Sequence, residues 1–284
     1  MFLIICFLLI LAGSIAWSII TNIRYKKTEY FKQTGKSLFA LRADSGCWGE
    51  YQVYLTLKHL ESIGVRFLFN CYLPAQDGKT SEVDVIMIHT SGIFVIESKN
   101  YSGWIFGSED RQQWTQTLPS GRMAHKEHFY NPVMQNRTHI KWLRKQIEEH
   151  IPIHSIIVFS DDCELKDITI HSSNIKVINR YKLLSTIIDL SAKTEDKLTP
   201  EKIEDIYFVL LKFVNVSDDI KTQHIKDIQQ AEYNSIVSPF SKEGVCPKCG
   251  GKLVPRTAKK GVYAGSTFLG CSNYPRCKYI RSDQ

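Results

Sequence analysis

The sequence predicts an α/β protein: a mixed-sheet core preceded by a membrane-spanning helix and followed by a small metal-binding tail. Three observations carry this. An uncharged, almost wholly apolar run occupies Phe2 to Ile20. The middle of the chain alternates helical and strand periodicities in the order helix, strand, hairpin, helix, strand, strand, helix, which builds a mixed sheet. Four of the 8 cysteines crowd between Cys246 and Cys277 as C-x2-C and C-x5-C.

The apolar run is long enough to span. Nineteen helical residues rise about 29 Å, against a hydrocarbon core of about 30 Å. Trp17 suits an interfacial anchor, and Arg24, Lys26 and Lys27 follow at once,. A cleaved signal peptide wants its charge before the apolar run, and a buried core helix is rarely apolar all round. The positive flank predicts a cytoplasmic location for everything beyond Lys27. The segments expected are a transmembrane anchor over 1–23, a juxtamembrane linker over 24–45, a core domain over 46–195, a helical linker over 196–240 and the metal-binding tail over 241–284.

Composition narrows the function class. Charged residues at 23% and aromatics at 11% exclude a mostly disordered chain, and 16 Gly with 9 Pro exclude a collagenous one,. The net charge is +7, and the segment Cys246–Gln284 carries all of it: Lys248, Lys252, Arg256, Lys259, Lys260, Arg276, Lys278 and Arg281 against Asp283. A concentrated basic tail implies a polyanion partner.

In the core, Gly46–Gly49 opens a helix whose stripe is Val53, Tyr54, Leu57 and Leu60. Glu50 lies on that same stripe. A buried acid needs a partner or a metal, although a first-turn Glu also satisfies the helix dipole. Val65 to Tyr72 reads as a strand. Then Val83–Ile88 and Ile93–Lys99 flank Thr90-Ser91-Gly92, a hairpin signal,. With Ser91 and Gly92 as the turn, Asp84 pairs with Lys99, and Glu97 falls on the same face. Two acids and a lysine at the end of a buried hairpin fit metal-assisted phosphodiester hydrolysis: hard carboxylate oxygens hold Mg²⁺ and the lysine stabilises developing charge. The competing reading is a salt bridge at the edge of the core, which buried ion pairs support poorly.

The stretch after Gly103-Trp104 reads as irregular through Gly121. Asn131-Pro132 starts a helix with Val133, Ile140, Leu143 and Ile147 as its core stripe and Gln135, His139 and Trp142 beside it,. Strands follow at Ile153–Phe159 and Ile175–Ile178, then a helix at Tyr181–Leu190. Thr199-Pro200-Glu201 opens a helix with Ile203, Ile206, Leu210 and Phe213 on one face, and a further helical stretch runs from Ile220 to Tyr233,. His125 and His128 lack a third ligand nearby and read as ordinary histidines. The sequon at Asn215 has no meaning in a cytoplasmic protein.

Taken in order, Gly49-Glu50, Glu82-Val83-Asp84, Glu97-Ser98-Lys99 and Asn131-Pro132 with Gln135 resemble the nuclease-related domain, NERD, over about residues 44 to 160. That family is grouped with the PD-(D/E)xK nucleases of restriction-endonuclease-like fold. The resemblance implies that Asp84 and Glu97 ligate a catalytic Mg²⁺ and that Lys99 is the catalytic lysine. It makes Glu50 the additional helix acid and Gln135 a supporting polar residue. Val83 stands where the signature has Pro.

In the tail, Cys246, Cys249, Cys271 and Cys277 form a four-thiolate set for one structural Zn²⁺. The stretch Phe268–Tyr279 resembles the C4 zinc finger at the carboxyl end of type IA topoisomerases, associated there with single-stranded DNA. Tyr263, Phe268, Tyr274 and Tyr279 interleave with the basic residues, the combination that sequence-neutral strand binding uses. A topoisomerase itself is excluded, because the rest of the chain cannot hold that catalytic core. The expected function is a membrane-anchored, metal-dependent DNA nuclease, with a non-catalytic membrane-tethered DNA-binding or scaffold protein as the alternative.

Overall fold

A computed structural model describes residues 2–120, 123–195, 197–214, 216–237, 246, 248–257 and 267–281. Residues 1–220 form one compact unit and 221–284 a second.

The first unit opens with α1 (Phe2–Lys26), whose apolar length is not covered by any of the described residues. Residues 24–45, read as a linker from their polarity, instead fold as α2 (Glu29–Thr34) and α3 (Leu38–Ala43). Thr28 and Ser37 cap these helices, each accepting from a backbone N–H,. Tyr30 and Leu41 are fully buried in the core. Widely spaced aromatic and leucine anchors hold the segment where no apolar periodicity announced it. Next comes α4 (Ser45–Leu57), capped by the Asp44 side chain at the Cys47 N–H.

The central sheet has five strands in the order β1 (Arg66–Pro74), β2 (Thr80–His89), β3 (Gly92–Lys99), β7 (Ile153–Phe159) and β9 (Ile175–Asn179). β1, β2 and β3 are antiparallel, while β3, β7 and β9 run parallel. One face packs Phe67, Phe69, Met87, Phe94 and Ile96 against α4 and α6 (Leu183–Ala192). The other packs Leu68, Ile86, Ile88 and Val95 against α5 (Pro132–Arg144) and α7 (Pro200–Leu211). Burial on both faces is why these strands read as continuous apolar runs.

The hairpin register differs by two residues from that expected. His89 pairs with Gly92 and Val85 with Ile96, so Thr90 and Ser91 form the turn. Gly92 serves close packing instead: its φ is 115°, and a Cβ there would lie 2.4 Å from the Pro152 carbonyl oxygen. A shift of two preserves which face a side chain occupies.

The stretch read as irregular is a second sheet of order β6 (Met123–Tyr130), β5 (Gln113–Ser120), β4 (Gly103–Ser108) and β8 (Cys163–Thr169). It is built on few apolar residues, chiefly the buried Ile105 and Trp114, which cluster with Phe159 of the central sheet, Trp114 stacking on its ring. Its outward positions are polar, so no strong alternation marks it. His125 and His128 lie exposed on β6, His125 beside Glu127 and His128 beside Thr115. Asn215 lies outside the described residues.

The second unit holds most of α8 (Asp218–Val237) and a ribbon in which β11 (Thr267–Cys271) pairs antiparallel with both β10 (Leu253–Thr257) and β12 (Ile280–Arg281).

Candidate active site and zinc centre

The expected hairpin residues do converge, by a less regular route than simple alternation. Opposite Asp84 the ladder skips Asn70, which takes a left-handed φ of 50°, a conformation Asn tolerates,. Around this point β2 twists: Val83 packs toward α5 and Val85 toward α4. Asp84 is thereby turned to the end of β3, where its Oδ2 accepts from the Ser98 N–H at 2.8 Å.

Glu97 is 1% exposed. Its Oε1 lies 2.8 Å from Lys99 Nζ and its Oε2 3.2 Å from His139 Nε2. Lys99 Nζ also donates to Gln135 Oε1 at 3.1 Å, and His139 Nδ1 meets Ser81 Oγ at 2.7 Å. Gln135 and His139 sit one turn apart on α5 and so face the site together.

The Asn131-Pro132 motif sets the angle of that helix. Asn131 Oδ1 accepts from the Val133 N–H, while its Nδ2 donates to the carbonyls of Ser108, Glu109 and Arg111. Asn136 pins the next turn to the sheet by donating to the Val95 carbonyl at 3.0 Å and Ser155 Oγ at 2.9 Å.

Glu50 enters from α4, 7% exposed, and accepts from Tyr30 Oη at 3.1 Å and from Asn70. Gly49 lets α4 come this close, since a Cβ there would stand 2.8 Å from Asn100 Cβ and 3.0 Å from Ser98 Oγ. Glu82, which pairs with Tyr72, adds its charge beside Glu50. Gly49, Ser98, Lys99, Asn100, Ser160 and Arg180 line a small cleft at this end of β3.

The electrostatics follow from burial and a surplus of acids. Burial opposes ionisation of Glu97, but Lys99 and His139 prevail and draw its carboxyl down to about 2. Burial first, then the charges of Glu97 and Glu50, holds Asp84 well above the usual carboxylate range. Burial and Glu82 push Glu50 up to about 7. Lys99 is raised by Glu97 and Asp84 in spite of its own burial. Glu50, Glu82, Asp84 and Glu97 thus outnumber the basic groups that act on them, Lys99, Lys36 and His139, an imbalance that a further cation relieves,.

The sequence pointed to Asp84, Glu97, Lys99, Glu50 and Gln135, and all five gather here. His139, Ser81, Asn70 and Tyr30 were missed. Only His139 carried a signal: its i+4 spacing from Gln135.

The zinc centre is built by two turns. Cys246, Cys249, Cys271 and Cys277 bring their sulfurs within 4.8 Å of one another, with Cys246 and Cys277 3.7 Å apart and Cys249 and Cys271 3.3 Å apart. A tetrahedron with Zn–S of about 2.3 Å has edges near 3.8 Å, so the geometry fits Zn²⁺ and is far too open for disulfides. Gly250 N–H bonds the Cys246 carbonyl to close the first turn. The backbone N–H of Gly251, chiefly, lowers the Cys249 thiol to about 6, while burial pushes the Cys271 thiol up to about 12,.

Around this centre Lys248, Lys252, Arg276 and Lys278 are exposed. Arg256 is half-buried and lies 5.4 Å over the ring of Tyr274, itself 59% exposed. Tyr279 packs instead on the cysteine cluster, and Phe268 is half-buried. Lys259, Lys260 and Tyr263 lie outside the described residues.

Comparison with known proteins finds matches to the two regions that hold these sites. Residues 45–160 match the nuclease-related domain model, and 243–284 match the topoisomerase DNA binding C4 zinc finger. An uncharacterized protein of Bacillus anthracis is 35% identical over 178 residues, 63% of this chain and 81% of that protein. DNA topoisomerase 1 of Archaeoglobus fulgidus is 32% identical over 38% of this chain but only 16% of its own length. The enzyme of Methanocaldococcus jannaschii is 58% identical over 13% of this chain and 4% of its own. No solved structure matches significantly. A mixed-sheet core with an acid–lysine hairpin defines a nuclease-like protein. The chain belongs to the nuclease-related domain family and ends in a topoisomerase-type C4 zinc ribbon.

Proposed function

We propose that this is a membrane-anchored nuclease that hydrolyses DNA phosphodiester bonds with Mg²⁺, its zinc ribbon holding single-stranded DNA. In this reading 1–23 anchor, 24–45 lie next to the membrane, 46–195 carry the chemistry, 196–240 connect, and 241–284 bind nucleic acid.

The observation that carries it is the buried set of Asp84, Glu97 and Lys99. These residues fit the metal. Both Glu97 oxygens are buried, one against Lys99 and one against His139, and Asp84 brings a second buried carboxylate to the same end of the hairpin. Among the described residues, three or more ligand-type groups converge within 4.8 Å only at the cysteines. The acids therefore offer Mg²⁺ one or two carboxylates, which leaves it the waters and phosphate oxygens it prefers.

When bound, Mg²⁺ polarises a phosphoryl oxygen and makes a water a better nucleophile. Asp84 and Glu97 would hold the ion. Lys99, steadied by Gln135, stabilises the charge that develops on the phosphoryl oxygens. Glu50, poised near neutral pH, takes or returns a proton at the edge of the site. His139, backed by Ser81, fixes the Glu97 carboxylate. In the ribbon, Tyr274 offers a stacking face and the exposed lysines meet phosphates.

The test is cleavage of single-stranded and duplex DNA by the purified full chain under Mg²⁺ and Mn²⁺. Glu97→Ala is expected to cut at least about 100-fold more slowly while retaining DNA through the tail, since one metal ligand is worth a few kcal/mol of transition-state stabilisation. Absence of cutting by the wild type under every divalent ion would leave the membrane-tethered DNA-binding or scaffold role.

A further inference from the structure

We infer that α3 is a second membrane contact: the outward face carrying Phe39 seats in the headgroup region of an anionic leaflet, beside the point where α1 emerges. The inference rests on the reading of α1 as an anchor.

The anchor is joined to the nuclease-related core without a spacer. Tyr25, two residues past the 1–23 anchor segment and so about 3 Å farther along the helix, is 2% exposed. Its ring packs edge-on against Phe31 and Tyr51, each at 5.3 Å. Its hydroxyl donates to the Lys36 carbonyl at 2.7 Å, which ties the start of α3 to the last turn of α1. Phe39 follows three residues later, at most about 11 Å of chain away. The headgroup zone on each side of a bilayer is about 5–8 Å deep. The chain between anchor and Phe39 is therefore too short and too well fixed to carry α3 far from the lipid.

The face it presents suits that setting. In α3, Leu41 is buried, and Phe39, Ala40, Arg42 and Ala43 are exposed. Phe39 is 85% exposed, among the most exposed large apolar side chains outside α1. Full burial of a Phe is worth about 2–3 kcal/mol. Arg42 stacks over Trp48 at 5.8 Å. Residues 24–44 hold Arg24, Lys26, Lys27, Lys32, Lys36 and Arg42 against Glu29 and Asp44. An apolar tip on a segment with excess positive charge is complementary to anionic lipid.

The test uses the full chain in vesicles of phosphatidylcholine with or without about 30% phosphatidylglycerol. Emission of wild type is subtracted from that of Phe39→Trp. The difference spectrum is expected to be blue-shifted and at least halved by brominated lipid, more strongly in the anionic vesicles, with little quenching by aqueous acrylamide. Acrylamide quenching typical of a free indole, with no effect of brominated lipid, overturns the inference while the anchor stands. A blue shift without lipid quenching also overturns it, assigning the face to another protein surface. Release of wild-type protein from the vesicles by alkaline carbonate instead defeats the anchor reading itself.

Discussion

At the scale of single residues, Glu50 shows how burial sets a charge. Its carboxyl stands at about 7 against an ordinary 4.5 because burial and Glu82 disfavour the anion. A pKa raised by folding means the folded state holds the proton more tightly. The corresponding stability is complete below about pH 4.5 and is lost as pH climbs through 7. At 1.36 kcal/mol per unit, the loss is about 3 kcal/mol. Urea unfolding of the full chain without added Mg²⁺ should therefore show wild type falling relative to Glu50→Gln between pH 4.5 and 7. Equal slopes would mean that the Glu50 charge is already balanced by groups around it.

Asp84, Glu97 and Lys99 were legible because their types and separations are chemically unusual for the ends of apolar strands. His139 was not. A histidine among α5 residues has no sequence mark of depth, and only packing brings its ring to Glu97.

At the scale of elements, the hairpin and α5 were readable from continuous apolar runs and from the Asn-Pro cap. The register was not, since Thr90-Ser91-Gly92 admits neighbouring turns; the decision fell to Pro152, whose carbonyl excludes any Cβ at position 92. The second sheet escaped notice because its core, with the fully buried Ile105 and Trp114, is thin and long-range in origin. Segment 24–45 was misjudged for the same reason: its few anchors matter only once Tyr51, Phe67 and Phe69 stand opposite.

The zinc ribbon is the opposite case, because covalent chemistry fixes it locally. Its folding and its metal are one equilibrium. Cys249→Ser in the full chain should reduce bound zinc from one equivalent to near none and abolish retention on single-stranded DNA together. In the wild type, engagement of about four cations predicts a log K against log salt slope near −3. DNA retention that survives both Cys249→Ser and chelation would show that charge alone holds the strand, without the ribbon.

At the scale of the whole molecule, orientation follows from charge. Arg24 and Lys26 sit in the last turn of α1 and Lys27 follows it, so the carboxyl terminus is expected in the cytoplasm, where thiols stay reduced and available to zinc. A reporter fused after Gln284 should be active only on the cytoplasmic side; activity outside would reverse the topology.

The sequence by itself determined which parts exist: a span of sufficient apolar length, a doubly covered hairpin ending in acids and a lysine, a capped helix bearing Gln135, and four thiolates at zinc spacing. Each is a local or periodic property, written in residue type and separation. The tertiary structure decided what those parts do together. It joined α1 to the core through Tyr25, turned Asp84 at the Asn70 irregularity, set His139 against Glu97 and raised Glu50 toward neutrality. Those outcomes depend on burial and on contacts between residues far apart in the chain, and neither is encoded in any local pattern.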